Sequence, residues 1–168
     1  MKIFSKICGI LSTLIIIAFA AVAAVLILPV LFGCKSMAVV SGSMEPKIPV
    51  GSLVVVKEAD TNTLAIGDVI SYQLPDGTMV THRIKEIDTE NSRITTKGDA
   101  NEVEDANPVA FSSVVGREVF HVPLLGYLSI YVKTPLGIVG VCAVLIVLII
   151  LNFLPSVLVS DDKGETAK

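Results

Sequence analysis

The sequence predicts a mostly β domain flanked by two transmembrane helices. Two uncharged stretches, one from Ile7 to Phe32 and the other from Leu136 to Leu154, are each long enough to cross a bilayer as a helix. Between them, β-rich runs alternate with turn sequences, and no segment shows a sustained helical period. A hydrophobic content of 52%, against 17% charged residues, is too high for an ordinary soluble domain.

The two apolar stretches divide the chain into five parts. Lys2 and Lys6 precede the first stretch without any acidic residue, which favours both termini on the cytoplasmic side of a multi-pass cell-membrane protein. The predicted parts are a cytoplasmic N-terminus (1–6), a transmembrane helix (7–32), an extracytoplasmic β domain (33–135), a second transmembrane helix (136–154) and a cytoplasmic tail (155–168).

The first apolar stretch has two alternative interpretations. Ala18–Ala20 and Ala21–Ala23 both have the small-x-small pattern of a secretory cleavage site. The apolar run nevertheless continues to Phe32, beyond the roughly 7 to 15 residues of a signal-peptide core. Cys34 ends a loose lipobox, but Phe32 is bulky for that pattern. We therefore expect a retained anchor.

Composition excludes several classes of function. The net charge of −3 gives no basic patch for nucleic acid. Three cysteines (Cys8, Cys34 and Cys142) have no disulfide or metal-site spacing, so no metal or cofactor is expected. Neither apolar stretch contains a charged residue, which argues against a channel or transporter.

The middle segment contains a predicted β-hairpin. Asp68–Leu74 and Thr78–Ile87 are β-rich runs on either side of the turn Pro75-Asp76-Gly77. Together with the other runs, they indicate a small sandwich or a partly open barrel. The other predicted strands are Ser52–Lys57, Arg93–Lys97 and Val114–Val122.

Directly after the first apolar stretch comes the loop Ser41-Gly42-Ser43-Met44-Glu45-Pro46. Gly42 permits a close backbone approach, and Pro46 fixes the exit of the turn. The six residues resemble the nucleophile motif of type I signal peptidases, which remove leader peptides from exported proteins. The resemblance implies Ser43 as the nucleophile and the Ser41 hydroxyl as part of the oxyanion hole.

A second motif is Thr81-His82-Arg83-Ile84. By strand alternation, His82 shares a face with Val80 and Ile84, so it could be an ordinary core histidine. Bacterial members of the family have a lysine base in this region, whereas the ER-type branch, also found in archaea and some Gram-positive bacteria, has histidine. The resemblance to that Ser/His branch implies His82 as the general base that activates Ser43.

The third motif, Gly98-Asp99-Ala100-Asn101, resembles the Gly-Asp-Asn-Asn box of the ER-type branch, with Ala100 in place of the first asparagine. Asp99 and Asp105 are both candidates to orient His82, although such carboxylates also bind backbone amides in turns. We favour Asp105 as the partner of His82 and Asp99 as the organiser of the loop, and the reverse assignment stays open.

The resemblance implies a small signal-peptidase-like catalytic domain that cuts exported preproteins after an Ala-x-Ala site. A serine needs a neighbouring base to act as a nucleophile, and no metal or cofactor is required. Ser43 follows the first apolar stretch closely in the chain, so the site should be near the membrane lipid. Ser52–Val56 is the expected wall of the substrate site, His121 is expected to be structural, and accessory subunits occur in the ER-type branch.

A different class of function fits the same composition. A membrane-anchored adaptor, or an inactive homologue that binds exported proteins without cutting them, would have the same spans and strands. Only the joint presence of Ser43, His82 and the Asp99/Asp105 segment distinguishes the enzyme from the adaptor.

Overall fold

A computed structural model describes the backbone of residues 2–161 and the side chains of residues 6–7 and 9–150. Residues 162–168 of the predicted tail lie outside the described residues. The chain forms two compact units. Among the described residues, one comprises 2–27 and 131–161, and the other is Leu28–Ile130.

The N-terminal helix, α1 (Lys2–Leu31), contains the apolar segment Gly9–Leu31, which is long enough to cross a bilayer. Its described side chains are largely exposed, for example Ile10 at 62% and Leu14 at 60%. An apolar helix with exposed side chains is typical of a membrane anchor and not of the core of a soluble domain.

Two helices follow the β domain. They are α2 (Leu125–Tyr131) and α3 (Pro135–Asp161), separated by a short break in the chain. In the described part of the chain they qualify as a second membrane span only if the pair is counted as one. The predicted span Leu136–Leu154 lies within α3, and its crossing of the membrane stays a prediction.

The β domain is one antiparallel sheet of seven strands in the order β1-β2-β7-β3-β4-β5-β6. All five predicted strands are present, each to within one residue at its ends. The strands are β1 (Cys34–Ala38), β2 (Leu53–Lys57), β3 (Val69–Gln73), β4 (Met79–Asp88), β5 (Arg93–Lys97), β6 (Val109–Ala110) and β7 (Val114–Val122).

Two strands and one α-helix were not predicted. The strand β1 has no β-branched residue and forms because it pairs with β2, for example Met37 with Val54. The strand β6 is very short and covers only Val109–Ala110. The helix α2 was not predicted because its seven residues are too few to show a sustained helical period.

The sheet is curled. The strands β1 and β4 are separated by three strands in the sheet order, yet residues of both line one cavity. Alternation along β3 sends Val69 into one apolar cluster and Ile70 into another. The serine-side cluster comprises Met44, Ile48, Val54, Val56 and Val69. The histidine-side cluster comprises Leu64, Ile70, Tyr72, Ile84, Ile94 and Val109.

Candidate active site

The loop that carries Ser43 is anchored by two apolar side chains. Met44 and Ile48 are 1% and 0% exposed, and both belong to the serine-side cluster. The Ile48 N–H donates to the Met44 carbonyl oxygen at 2.9 Å. Because the residue that follows Ser43 is fixed in the core, the Ser43 hydroxyl is held at the cavity.

His82 extends from β4 toward Ser43. Its Nε2 lies 3.0 Å from Ser43 Oγ, and its side chain is 10% exposed. Ile84 belongs to the histidine-side cluster and Val80 packs against it, so the predicted apolar face of this strand is confirmed. The imidazole is therefore held between the core and the cavity.

The second imidazole nitrogen faces Asp105. His82 Nδ1 lies 2.6 Å from Asp105 Oδ2, and a carboxylate can only accept, so Nδ1 carries the proton and Nε2 is free to accept from Ser43. Partial burial tends to raise the pKa of Asp105, but hydrogen bonds from Thr96, His82 and Tyr72 outweigh it and hold that pKa below its usual value. The carboxylate is thus charged at neutral pH.

Asp99 has a different partner. Arg83 Nε donates to Asp99 Oδ1 at 2.7 Å, Arg83 Nη2 donates to Oδ2 at 2.5 Å, and Arg83 Nη1 donates to the Gly67 carbonyl oxygen at 2.7 Å. The hydrogen bond from Arg83 holds the pKa of Asp99 below its usual value. Of the two candidate carboxylates, Asp105 is therefore the one beside His82.

The segment around Asp99 also contacts the backbone of Ser43. The Ala100 N–H donates to the Ser43 carbonyl oxygen at 2.9 Å, and a Cβ atom added at Gly98 would lie 2.6 Å from the same oxygen. A Cβ atom added at Gly42 would instead have the Glu45 side chain as its nearest neighbour, at an ordinary 3.5 Å.

A cavity of about 350 Å³ lies beside Ser43 and His82. Ser41 also borders it, with its Oγ 3.4 Å from Ser43 Oγ. The wall expected from Ser52–Val56 is wrong, because Leu53–Val56 is fully buried and the paired strand β1 borders the cavity instead. In the described part of the chain, no lysine lines this cavity. The lining residues are Met37–Ser41, Ser43, Met44, Thr78–His82 and Asn101.

His121 does not line this cavity. Its Nδ1 lies 2.6 Å from Glu118 Oε1, three residues earlier on β7. The cavity-lining Asn101 and the two hydroxyl groups on Asp105, from Tyr72 and Thr96, were not singled out from the sequence. Asn101 belongs to the third motif but was given no role there, whereas the hydroxyl contacts depend on strand register.

The geometry links a hydroxyl, an imidazole and a carboxylate in the order that defines serine hydrolases of the triad type. Comparison with known proteins narrows this class. Residues 10–105, more than half of the chain, match the profile of the family described as signal peptidase, peptidase S26, and the chain belongs to this family.

One curated relative is the protein named "Signal peptidase I W" from Bacillus subtilis (strain 168). It is 43% identical over 89 residues, which are 51% of this chain and 47% of the relative. The matched region thus spans about half the length of that protein.

Proposed function

We propose that this chain is a membrane-bound serine endopeptidase of the Ser/His branch that removes signal peptides from exported preproteins. Ser43 is the nucleophile, His82 the general base, and Asp105 the residue that orients His82. The observation that carries the proposal is the engagement of both imidazole nitrogens, at 3.0 Å from Ser43 Oγ and 2.6 Å from Asp105 Oδ2.

The chemistry follows from these contacts. His82 Nε2 takes the proton of Ser43 Oγ as the hydroxyl attacks the scissile carbonyl, and it then returns the proton to the departing amine. Asp105 keeps the proton on Nδ1 and stabilises the imidazolium that forms between these steps. Water then attacks the acyl-enzyme, with His82 accepting its proton and returning it to Ser43 Oγ as the acyl–oxygen bond breaks.

The oxyanion needs its own donors. We assign this role to the Ser43 backbone N–H and the Ser41 hydroxyl, which lies on the same exposed rim, 3.4 Å from Ser43 Oγ. Asp99 is given no role in proton transfer. It ties β4 to the loop that holds the Ser43 carbonyl, through Arg83 on one side and Ala100 on the other.

The cavity supports an extended peptide substrate. One side is formed by Met37–Val40, at the end of the sheet-edge strand β1, and the other by Thr78–Thr81, at the start of β4. A peptide can bind such an edge by adding a strand. The apolar lining suits small side chains such as alanine, and α1 would hold the enzyme at the membrane where preproteins emerge.

The test is cleavage of a model preprotein with an Ala-x-Ala site by the purified chain in detergent and in lipid vesicles. We expect the wild type to cut after the second alanine, and Ser43→Ala and His82→Ala to lose activity. His121→Ala is the matched control, because His121 is the other of the two histidines and does not line the cavity. Ser112→Ala serves the same purpose for the serine.

Two outcomes would reject the proposal. Cleavage by Ser43→Ala at the wild-type rate would show that another group is the nucleophile. A folded wild type that binds the preprotein but leaves it intact in both environments would favour the adaptor or the inactive homologue.

A further inference from the structure

The Asp105 oxygen that faces His82 also accepts hydrogen bonds from two hydroxyl groups. Thr96 Oγ1 on β5 donates at 2.6 Å and Tyr72 Oη on β3 donates at 3.2 Å, both to Oδ2. Thr96 is 0% exposed and Tyr72 is 4% exposed. Donors from three different strands therefore meet at one carboxylate oxygen.

We propose that Thr96 and Tyr72 are positioning residues, which hold the Asp105 carboxylate in the orientation that keeps His82 directed at Ser43. The inference rests on the proposed function and adds to it two residues outside the recognised motifs. Neither hydroxyl is placed at the substrate, so both act only through Asp105.

Thr96 holds Asp105 at two points. Its carbonyl oxygen accepts from the Asp105 backbone N–H at 2.9 Å, and its hydroxyl donates to the Asp105 side chain. Asp105 lies in the irregular segment between β5 and β6, and its side chain is 21% exposed. Without the hydroxyl, rotation of the side chain toward water would compete with the bond to His82.

Tyr72 restricts Asp105 from the neighbouring strand. Burial and the nearby carboxylate raise the pKa of Tyr72 to about 12, so its hydroxyl keeps its proton and stays a donor. Its ring also meets the His82 ring edge-on, with centroids 6.4 Å apart. One side chain thus contacts both the base and the residue that orients it.

A purely structural role for these hydroxyls predicts different behaviour. Buried polar groups are usually hydrogen-bonded, so loss of either hydroxyl could reduce stability and nothing else. Thr96→Val keeps the shape and removes the donor, whereas Thr96→Ser keeps the donor and removes a methyl group. Tyr72→Phe removes the second donor and keeps the ring.

The kinetic experiment measures kcat and KM on the model preprotein across pH. We expect Thr96→Val to lower kcat about 10- to 100-fold, the range for a hydrogen bond to a charged group, with KM within about twofold. Thr96→Ser should recover most of kcat, and Tyr72→Phe should lose about 3- to 30-fold. An Asp105 carboxylate that has lost a donor directs more of its negative charge at His82 and favours the imidazolium, so the acid limb of the kcat profile should move to higher pH.

A second experiment needs no turnover. The ring N–H resonance of His82 Nδ1 is followed by NMR and assigned with His121→Asn, since the chain has two histidines. We expect a downfield, exchange-protected proton in the wild type, faster exchange in Thr96→Val and Tyr72→Phe, and recovery in Thr96→Ser.

The two readouts separate the possible failures. If folded Thr96→Val and Tyr72→Phe match the wild type in kcat, pH profile and Nδ1–H exchange, the positioning role is wrong. If the wild type cuts nothing but its Nδ1–H exchange responds to both variants, the proposed function fails and the positioning of Asp105 stands. If Thr96→Val does not fold, Tyr72→Phe decides.

Discussion

The guanidinium of Arg83 binds both carboxylate oxygens of Asp99, with Nε 2.7 Å from Oδ1 and Nη2 2.5 Å from Oδ2. Adjacent residues on a strand point to opposite faces, so Arg83 and His82 extend from opposite sides of β4. The carboxylate bound by Arg83 is therefore not available to His82. The two carboxylates therefore have different contacts: Asp99 organises a loop, and Asp105 contacts the imidazole.

We expect Asp99→Asn to reduce stability more than it reduces the chemistry. The side chains of Arg83 and Asp99 are 19% and 18% exposed, and the variant leaves Arg83 without its charged partner. The expected loss is about 2 kcal/mol in the free energy of unfolding, measured by chemical denaturation. Since Ala100 still binds the Ser43 carbonyl, kcat should fall less than about tenfold in the folded protein. A larger fall at unchanged stability would contradict the assignment.

Asp105→Asn should reduce the chemistry more than it reduces stability. An amide can donate to His82 Nδ1 and thereby favour the wrong tautomer, for which the loss in triad enzymes is about 10⁴-fold in kcat. The variant remains close in shape, and a hydroxyl of Thr96 or Tyr72, both of which meet the same side-chain atom as His82, can rotate to accept from the amide, so we expect a small change in the unfolding midpoint. Cleavage assays measure the loss of kcat, and denaturation curves measure the change in the unfolding midpoint. Retention of more than a tenth of kcat would remove Asp105 from the mechanism.

Stability should fall in acid because of the same carboxylates. The pKa of Asp99 in the folded protein lies below its usual value of about 3.9, so folding favours the ionised form. The stabilisation is complete above the unfolded pKa and is lost as pH falls through the folded pKa. Thermal unfolding from pH 6 to pH 3 should show this loss below about pH 4. The loss of stability in acid should be smaller in Asp99→Asn, which lacks this carboxylate. An equal loss in the variant and the wild type would show that other groups dominate the acid sensitivity.

Strand pattern and motif predicted much of this architecture. The β-branched runs Val54–Val56 and Val114–Val122 lie in strands, and alternation placed His82 on the face of Val80 and Ile84. The cavity wall was predicted wrongly because β1 has a weak strand sequence and is ordered by pairing with β2. The catalytic roles themselves stay predictions.

The contacts of Asp105 needed information that sequence patterns lack. Tyr72 pairs with Val80 and Thr96 pairs with Ile84, and these registers bring the two hydroxyls to one carboxylate. Register depends on turns and bulges such as the shift in β4 between Ile84 and Glu86, which local composition does not specify. The choice between Asp99 and Asp105 depended less on such information. Arg83 follows His82 on the strand and points to the opposite face, where it offers a partner for the other carboxylate.

Gly98→Ala should disturb the Ser43 loop, whereas Gly42→Ala should leave the fold intact. A Cβ at Gly98 would lie 2.6 Å from the Ser43 carbonyl oxygen, and because that atom belongs to the backbone, relief requires movement of the loop. Such overpacking typically costs about 1–3 kcal/mol. A Cβ at Gly42 meets only the flexible Glu45 carboxyl group at 3.5 Å, so its unfolding free energy should match the wild type to within about 0.5 kcal/mol.

The activities of the two glycine variants distinguish contacts within the enzyme from contacts with substrate. Displacement of the Ser43 carbonyl in Gly98→Ala should also lengthen the bond from Ser43 to His82, and a misplacement of about 1 Å can cost about 10²-fold in rate. We therefore expect kcat to fall strongly in Gly98→Ala at a temperature where the variant is folded. If Gly42→Ala is stable but raises KM, the close approach at Gly42 is made by the substrate backbone. If both variants cleave the model preprotein as fast as the wild type, the loop that contains Gly98 does not control the position of Ser43.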